Sequence, residues 1–547
     1  MDAIIRRLAQ ELEQPSQQVE NVVRLIDEGN TIPFIARYRK ELHGSMDDQL
    51  LRQLPERLQY LRSLEYRKAE VLAAVEAQGK MNCRLKTALN AAETLAEVED
   101  LYRPYRPKRR TRATIARERG LEPLAELLFS KSGSRIVPEE AAEDYVNPEK
   151  GVETIQDALQ GANDILAEQI SDDATVRKKL RQQYLKRAML VSRAAKEEPE
   201  DSVYRLYYDF KCPVGKMQGY QTLAINRGER EGFLKVSVEL DIETAHVTVR
   251  KVAVPGRACM DFVRAAADDA YDRLIQASME REIRGLLTQQ ADERAIHMFA
   301  LNLKPLLMQP PVKGHVTMGL DPGYRMGCKV AVVDGTGRVL DTSVVYLTHG
   351  LRQREEALQT LADLVRKDGV EHIAIGNGTA SRETEQAVAE LIRRVGGNLR
   401  YMIVSEAGAS VYSASKLAAE EFPNFDVNLR SAVSIARRLQ DPLAELVKID
   451  PQAIGVGQYQ HDMPQAKLGE ALDGVVEDCV NAVGVDVNTA SPSLLRRVSG
   501  LNAATARNLV QYREEHGVFT GRKQILNVPK LGPKAFEQCA GFLRVPE

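Results

Sequence analysis

The residues of this chain that could do chemistry include three carboxylates near its middle. Asp321 ends the apolar stretch VTMGL and is followed at once by Pro322 and Gly323. A carboxylate at the end of a buried strand, beside backbone that carries little side chain, can hold a cation or let a phosphate approach. Glu406, after the apolar stretch YMIVS, and Asp441, in the helical stretch SIARRLQDPLAEL, could complete the cluster. Three carboxylates from separate elements can hold Mg²⁺ ions at a phosphodiester.

The elements that must position these carboxylates follow a recognisable order. Residues 316–346 predict three strands joined by two Gly-bearing turns, and helix, strand, helix and strand follow up to Glu406. This order is the RNase H-like topology, in which the Asp of the first strand helps to hold Mg²⁺. The actin and sugar-kinase group places ATP phosphates at the same strand and turn, and an ordinary β-meander would also explain the pattern. The sequence has no GxxxxGK[ST] loop, which disfavours a kinase.

One position weakens the prediction of a nuclease. The strand IAIGNG ends at Asn377, where a nuclease would often present an acid. An amide offers a single oxygen and no charge, so the affinity for Mg²⁺ should fall. Two interpretations remain open. One is a nucleic-acid-binding scaffold that is not an enzyme and requires no cofactor, and the other is a Mg²⁺-dependent nuclease or resolvase that uses Asp321, Glu406 and Asp441 both as catalytic residues and as metal ligands.

The C-terminal tail carries a second, independent signal. Residues 491–519 and 523–545 each predict a short helix, a tight turn and a short helix, which is the pattern of a tandem helix-hairpin-helix. Glycine lets the turns, at 499–502 and 529–533, approach a phosphate. Residues 491–547 contain nine Lys and Arg against four Asp and Glu, a balance that suits sequence-independent contact with a phosphate backbone. The candidate nucleic-acid-binding residues are Arg496, Arg497, Ser499, Gly500, Asn502, Arg507, Lys530, Gly532 and Lys534.

A third patch lies at residues 101–120, in LYRPYRPKRRTRATIARERG. Its basic residues face a single acid, Glu118, and Tyr102 and Tyr105 lie between them. Arginine can bind phosphates and tyrosine can stack on unpaired bases. A solvated basic loop, or a salt-bridge hub for the neighbouring acidic stretch ETLAEVED, explains the same residues. The candidate nucleic-acid contacts are Arg106, Lys108, Arg109, Arg110 and Arg112.

Composition and length limit the class of protein. The chain has 547 residues, and its 75 Lys and Arg nearly balance its 77 Asp and Glu, which excludes a uniformly basic surface but allows local patches. The apolar runs are shorter than the ~20 residues of a membrane span, and the first residues predict an amphipathic helix. We therefore expect a cytoplasmic protein without a membrane partner. The six cysteines form no CxxC pair and suggest neither a zinc site nor a disulfide framework.

The predicted fold class is multidomain and mainly α-helical, with an α/β RNase H-like domain, a small β-rich insert and a tandem helix-hairpin-helix at the C-terminus. We predict a helical region over 1–200 and a small antiparallel sheet over 201–256, where FLKVSVELDIETAHVTVRKVAV alternates. A long helical connector follows over 257–311, then the RNase H-like domain over 312–465 and the helix-hairpin-helix domain over 466–547.

Several long strings in this order resemble one family. They include IPFIARYRKE, LYRPYRPKRRTRATIARERGLEPLA, LAINRGEREGFL, GLDPGYRMGCKVAVVD, AIGNGTASRETE, VSEAGASVYSAS and VEDCVNAVGVDVNTAS. The chain resembles the bacterial Tex family of transcription accessory proteins from end to end. The resemblance implies a scaffold that binds RNA or DNA around transcription, with RNA polymerase or ribosome-associated machinery as partners. It also implies a YqgF-type RNase H-like domain with acids at Asp321, Glu406 and Asp441. An active domain would be a metal-dependent endonuclease of the RuvC or YqgF type, but Asn377 departs from the nuclease-like members. The family usually adds a C-terminal OB-fold RNA-binding domain, which the sequence up to Glu547 lacks.

Overall fold

The computed structural model describes residues 2–44, 46–107, 109–131, 135–196 and 201–545. The chain forms two compact units, one of Met1–Ile4 and Glu56–Arg294 and the other of Ile5–Pro55 and Ala295–Glu547. The second unit thus draws on both ends of the chain. The five predicted segments divide the chain differently, and their boundaries stay predictions.

The helices lie in this order: α1 (Asp2–Glu11), α2 (Ser16–Asp27), α3 (Ile32–Tyr38), α4 (Lys40–His43), α5 (Asp48–Ala77), α6 (Cys83–Ala91), α7 (Leu95–Tyr102), α8 (Arg112–Glu118), α9 (Glu122–Phe129), α10 (Pro138–Glu143), α11 (Ile155–Ser171), α12 (Ala174–Arg187), α13 (Gly219–Arg230), α14 (Ile242–Ala253), α15 (Met260–Asp269), α16 (Gln276–Leu307), α17 (Leu351–Asp368), α18 (Ser381–Val395), α19 (Ala409–Ser413), α20 (Lys416–Glu421), α21 (Val427–Gln440), α22 (Pro442–Leu446), α23 (Gln465–Val483), α24 (Pro492–Leu495), α25 (Ala503–His516) and α26 (Pro533–Cys539).

The strands are β1 (Met189–Ala194), β2 (Asp209–Pro213), β3 (Leu234–Glu239), β4 (Thr317–Asp321), β5 (Cys328–Val333), β6 (Val339–Val345), β7 (His372–Gly376), β8 (Arg400–Val404), β9 (Val485–Asp486) and β10 (Leu543–Arg544). Among the described residues, no helix has the length and apolar character needed to cross a membrane.

The first unit contains a small antiparallel sheet, in the order β2-β1-β3. The sequence prediction of an antiparallel sheet is correct here, but its extent is wrong at both ends: the central strand β1 lies within the predicted helical region, before residue 201. Residues 242–253 form α14 instead of a strand. Asp241 caps this helix by accepting from the Thr244 amide, and the buried Ala245, Val249 and Ala253 recur every fourth residue. The helical spacing, reinforced by the cap, outweighs the β-branched residues of the stretch.

The long helix predicted over 257–311 is present, but its first half is not a connector. Residues 260–307 are helical with a π-helical turn at 270–275. Val263, Tyr271, Ile275 and Ile283 are buried in the hydrophobic core of the first unit. The first half of this helix is therefore core, because one face of it carries apolar residues at helical spacing.

The second unit contains a five-stranded sheet, in the order β6-β5-β4-β7-β8. The strands β4, β5 and β6 are antiparallel neighbours, and β7 and β8 lie parallel to β4. The helices α17 and α18 cover one face, while α21 packs on the other. This arrangement confirms the RNase H-like fold class.

Close packing of α21 on β4 fixes the edge where the predicted acids lie. A side chain at Gly319 would overlap the backbone carbonyl of Ala432 and lie 2.8 Å from the Ala436 nitrogen. Only glycine allows the helix this near to the strand. The helix runs antiparallel to β4, since Ser431 is bonded to Asp321 at the C-terminal end of the strand. At the other end, the Gln440 side-chain amide donates to the His315 carbonyl, 2.9 Å away.

The C-terminal region has the predicted tandem helix-hairpin-helix. The first motif comprises α24, a turn and α25, and the second comprises a 3₁₀ turn at Arg522–Asn527, a turn and α26. The parallel pair β9 and β10 closes the region. We call residues 499–502 the first hairpin and residues 529–533 the second hairpin.

Candidate functional site

Asp321 is positioned by the register of β4. Its partner across the antiparallel pair is Lys329 on β5, whose side chain is 8% exposed and whose ammonium donates to the carbonyl oxygens of Met326 and Gly327. On the helix side, the Ser431 hydroxyl donates to the Asp321 carboxylate. Burial raises the pKa of Asp321, and the Ser431 bond and the Lys329 charge oppose this rise only in part.

Glu406 follows β8 and lies over the loop that leaves β7. A side chain at Gly378 would overlap the Glu406 carboxylate, which accepts a bond from the Gly378 amide. The Asn377 side-chain oxygen accepts from the Glu406 amide, 3.0 Å away. Burial raises the pKa of Glu406, and the negative charge of Asp321 raises it further. A side chain at Gly376 would meet both the Glu406 carboxylate and Pro322, so Asp321 and Glu406 lie at the same end of the sheet, and we call them the acid pair.

Arg438 fixes the backbone on both sides of Glu406. This arginine is 3% exposed, and its Nη1 donates to the carbonyl oxygens of Ser405, 2.8 Å away, and Ala407, 2.7 Å away. A buried guanidinium needs partners for its donors, and these carbonyls supply two of them. Arg438 thus acts on the acid pair through the position of Glu406.

Asp441 does not join the acid pair. It lies just beyond α21, at the end of the helix that faces His315, whereas Ser431 lies ten residues earlier beside Asp321. Ten residues of α-helix span about 15 Å. The Asp441 carboxylate instead pairs with Lys313, 2.6 Å away, and accepts from the Ala444 amide. The expectation that the three carboxylates face a common cleft is therefore wrong for Asp441, because α21 places it near the other end of β4.

The residues around the acid pair do not fit a two-Mg²⁺ site. The neighbours that could have been further acids are Asn377 and Ser431, and the Lys329 ammonium already supplies positive charge beside Asp321. Two Mg²⁺ ions would need more anionic oxygen ligands than this pair provides. In the described part of the chain, no cluster of three or more His, Cys, Asp or Glu side chains could hold a metal ion.

The basic segment at 101–120 has two kinds of arginine. Arg106 is ion-paired with Glu99 and lies 5.6 Å from the centre of the Tyr102 ring, and Arg67 lies 5.5 Å from the same ring. The Tyr102 ring is thus covered by guanidinium groups. Arg110 forms an exposed ion pair with Glu118 at 2.8 Å.

The exposed residues of this segment are those available to a ligand. Arg106, Arg109, Arg110 and Arg112 are all exposed, and Lys108 lies outside the described residues. The salt-bridge interpretation therefore fits Arg106, whose acid belongs to the stretch ETLAEVED, while the phosphate interpretation stays open for the others.

The two hairpins differ in their surroundings. In the first hairpin Ser499 is 2% exposed, and a side chain at Gly500 would overlap Gln538 of α26. Arg497 is held by Asp473 at 2.6 Å. Protein groups thus contact all three residues, and their binding to nucleic acid stays a prediction. The other six candidates of the tail are exposed: Arg496, Asn502, Arg507, Lys530, Gly532 and Lys534.

Sequence reasoning missed Lys329, Ser431 and Arg438. Each lies in a regular strand or helix and has an ordinary pattern around it. The register that sets Lys329 opposite Asp321 could have been found by pairing the first two predicted strands. The positions of Ser431 and Arg438 depend on the packing of α21 and carry no local signal.

Family models cover most of the chain. The Tex-like protein N-terminal domain matches residues 2–76, and the Tex central region matches residues 134–299. The Tex protein YqgF-like domain matches residues 315–440, and a helix-hairpin-helix motif matches residues 480–544.

Similar proteins match over nearly the whole chain. The Transcriptional accessory protein Tex of Neisseria gonorrhoeae is 49% identical over 555 residues, which cover 99% of this chain and 72% of that protein. Protein tex of Bordetella pertussis is 47% identical over 567 residues, with 99% and 70% covered. The human S1 RNA-binding domain-containing protein 1 is 41% identical over 547 residues, with 96% and 54% covered.

Proposed function

Because this chain belongs to the Tex family, we propose that it is a nucleic-acid-binding scaffold that acts in transcription, and that its RNase H-like domain does not cleave nucleic acid. The relative from Neisseria gonorrhoeae is named a transcriptional accessory protein, and the human relative is named for an RNA-binding domain. We extend the transcription role to this chain, with RNA or DNA as its ligand.

The observation that supports a scaffold is the composition of the acid pair. Asp321 and Glu406 lie together, but the positions beside them hold Asn377, Ser431 and Lys329. A nuclease of this type holds its scissile phosphate through metal ions bridged by carboxylates. A site with two carboxylates and an internal ammonium lacks the charge for that task.

Nucleic-acid binding is supported by exposed basic residues on two parts of the surface. Lys530 and Lys534 lie on the second helix-hairpin-helix motif, and Arg109 and Arg112 lie on the basic segment. Exposed cations bind the phosphate backbone without reading bases. We therefore expect affinity that falls steeply with salt and depends little on sequence.

A binding panel with product analysis tests both parts. Purified protein is titrated into labelled single- and double-stranded RNA and DNA at several salt concentrations, with and without Mg²⁺. The proposal expects salt-sensitive binding and intact substrate. Mg²⁺-dependent cleavage that Asp321→Asn abolishes would favour the nuclease, the second candidate, which the proximity of Asp321 and Glu406 supports.

The partner proteins are a further part of this proposal. We expect RNA polymerase or ribosome-associated machinery to bind the chain, as the name of the relative suggests for transcription. Co-sedimentation with purified RNA polymerase or with ribosomes, with and without RNase treatment, separates direct contact from tethering through RNA.

A further inference from the structure

The backbone of the first hairpin is already bonded to protein. The Ser499 amide donates to the Asn481 side-chain oxygen at 2.9 Å, and the Leu501 amide donates to the Val498 carbonyl at 3.0 Å. The Asn502 amide donates to the Thr505 hydroxyl at 2.8 Å, and the amides of Ala504 and Thr505 donate to the Asn502 side chain. Of the four hairpin amides, only that of Gly500 has no protein acceptor among the described residues, so few donors are left for a phosphate.

Residues 28–39, which we call the N-terminal segment, complete this enclosure. The hydroxyls of Thr31 and Ser499 are hydrogen-bonded to each other. The Gln538 side chain, 3% exposed, accepts from the Thr31 amide at 3.1 Å and donates to the Asn30 side chain at 2.7 Å. Buried polar groups must find partners, so these complementary bonds indicate a fitted contact.

Further contacts attach the N-terminal segment beside the hairpin. The rings of Tyr38 and Phe542 meet edge to face, with centroids 5.4 Å apart. Arg39 pairs with Glu537 at 2.7 Å. The Lys534 ammonium donates to the Glu28 carbonyl, so the segment also restrains a lysine of the second motif.

The second hairpin is open where the first is closed. Lys530 and Gly532 are exposed, and in the part of the chain that the structure describes their amides donate to no protein group. Nothing lies within 4 Å of the position that a side chain at Gly532 would take. The buried Leu531 anchors the turn, and the Asn508 side chain donates to the Pro529 carbonyl at 2.8 Å. The Leu531 amide donates to the Val528 carbonyl at 3.2 Å, as the Leu501 amide does to Val498, so the open donors of this turn are the amides of Lys530 and Gly532.

We propose that the two hairpins have different partners: the first binds the N-terminal segment of this chain, and the second alone meets the phosphates of a nucleic acid. This inference rests on the proposed nucleic-acid binding and specifies which part of the tandem motif performs it. The arrangement is an asymmetric pair, in which one hairpin attaches the motif to its own chain and leaves the other exposed.

Matched charge reversals at exposed residues test the proposal. The first variant, Lys530→Glu, changes a residue of the second hairpin. The second, Arg507→Glu, changes a residue in the first turns of α25, beside the first hairpin. Binding to a labelled single-stranded oligouridylate is measured over about 50 to 200 mM salt. We expect Lys530→Glu to weaken binding about tenfold at the lowest salt concentration. It should also reduce the slope of log affinity against log salt concentration by about 1. Arg507→Glu should change affinity by less than about twofold, since a charge away from bound phosphate adds only screened attraction.

Each outcome has a distinct meaning. Equal weakening by both variants would overturn the asymmetry but leave nucleic-acid binding intact, and so would an effect of Arg507→Glu alone. No weakening by either would remove the tail from the binding surface. Absence of binding by the wild-type chain would instead defeat the proposed function itself. Hydrogen exchange gives a second measurement: the oligonucleotide should slow exchange at 529–535 and leave 499–505 unchanged, and the reverse pattern would contradict the proposal.

Discussion

At the scale of single residues, the acid pair shows how neighbours decide what a carboxylate can do. Asp321 has a cation beside it from Lys329 and a hydroxyl from Ser431, and Glu406 is held by a backbone amide. Protein groups thus contact both carboxylates. Even so, burial leaves the pKa of both carboxyls raised, so the charged forms are disfavoured in the folded state.

This raised pKa predicts a pH-dependent effect of Asp321→Asn. A raised native pKa means that the folded state binds the proton more tightly than the unfolded chain does. At neutral pH the charged carboxylate therefore lowers the free energy of unfolding. This destabilisation disappears as the pH falls to about 4, the ordinary pKa of Asp, where the carboxyl is protonated in both states. We expect Asp321→Asn to raise the free energy of unfolding by about 1 kcal/mol at neutral pH, with the gain shrinking towards about pH 4.

Denaturant unfolding over a series of pH values measures this gain. Asp201→Asn is the matched control, because Asp201 is exposed and its pairing distance to Arg205 is 3.8 Å. The control should leave the stability unchanged. A variant at Asp321 that is less stable than the wild type at neutral pH would mean that the Lys329 and Ser431 contacts outweigh burial.

At the scale of elements, the contact between α21 and β4 sets the geometry of the candidate site. The antiparallel run of the helix brings Ser431 to Asp321 and carries Asp441 away to Lys313. The contact depends on the missing side chain at Gly319. A change there should therefore act on the whole site through packing.

Gly319→Ala should destabilise the second unit. The added methyl group would overlap the Ala432 carbonyl, so the helix must move or the strand must bend. Overpacking of this kind costs about 1–3 kcal/mol. Gly285→Ala in α16 is the control, since nothing lies within 4 Å of its new methyl group, and it should add up to about 1 kcal/mol through helix propensity. Thermal unfolding of both variants separates strain from the generic effect of the substitution.

The basic segment permits a second prediction at this scale. Reversing Arg109 and Arg110 to Glu should weaken binding to all nucleic acids tested and leave the melting temperature nearly unchanged. Arg110 loses only an exposed ion pair with Glu118, worth about 0–1 kcal/mol. The same reversal at Arg193 and Arg205, also exposed, controls for net charge. A large loss of stability in the first variant, with unchanged affinity, would identify the segment as a structural hub.

At the scale of the whole molecule, the second unit joins residues from both ends of the chain. Its N-terminal part, Ile5–Pro55, contacts the C-terminal region through Arg52, which pairs with Asp478 and Glu477, and through Tyr38 on Phe542. The helix-hairpin-helix region is therefore stabilised by sequence about 500 residues away.

Tyr38→Ala should loosen the C-terminal region. The variant removes the ring that packs on Phe542 and against Gly541, and we expect a loss of about 2 kcal/mol. Amides of the first hairpin should then exchange faster, as measured by mass spectrometry. Tyr66→Ala, at a tyrosine that is 67% exposed, is the control; it should change neither the stability nor the exchange of these amides. If Tyr38→Ala behaves like the control, the two ends of the chain are not energetically coupled.

The sequence by itself determined the elements and the class of fold. Strand and helix order around Asp321, the tandem hairpins and the Gly-bearing turns are local patterns, and the structure confirms them because periodicity and turn chemistry act over a few residues. The exceptions are β1, which lies in the segment predicted to be helical, and α13 and α14, which lie in the predicted sheet; at α14 a β-rich composition competed with helical spacing.

Only the tertiary structure decided which residues share a site. The direction of α21 separates Asp441 from Asp321 and Glu406, and the packing of residues 28–39 encloses Ser499 while Lys530 stays exposed. Neither outcome has a local signal, since each depends on how elements distant in sequence pack. Burial follows from the same packing, and it is burial that sets the pKa of the acid pair and the availability of each hairpin.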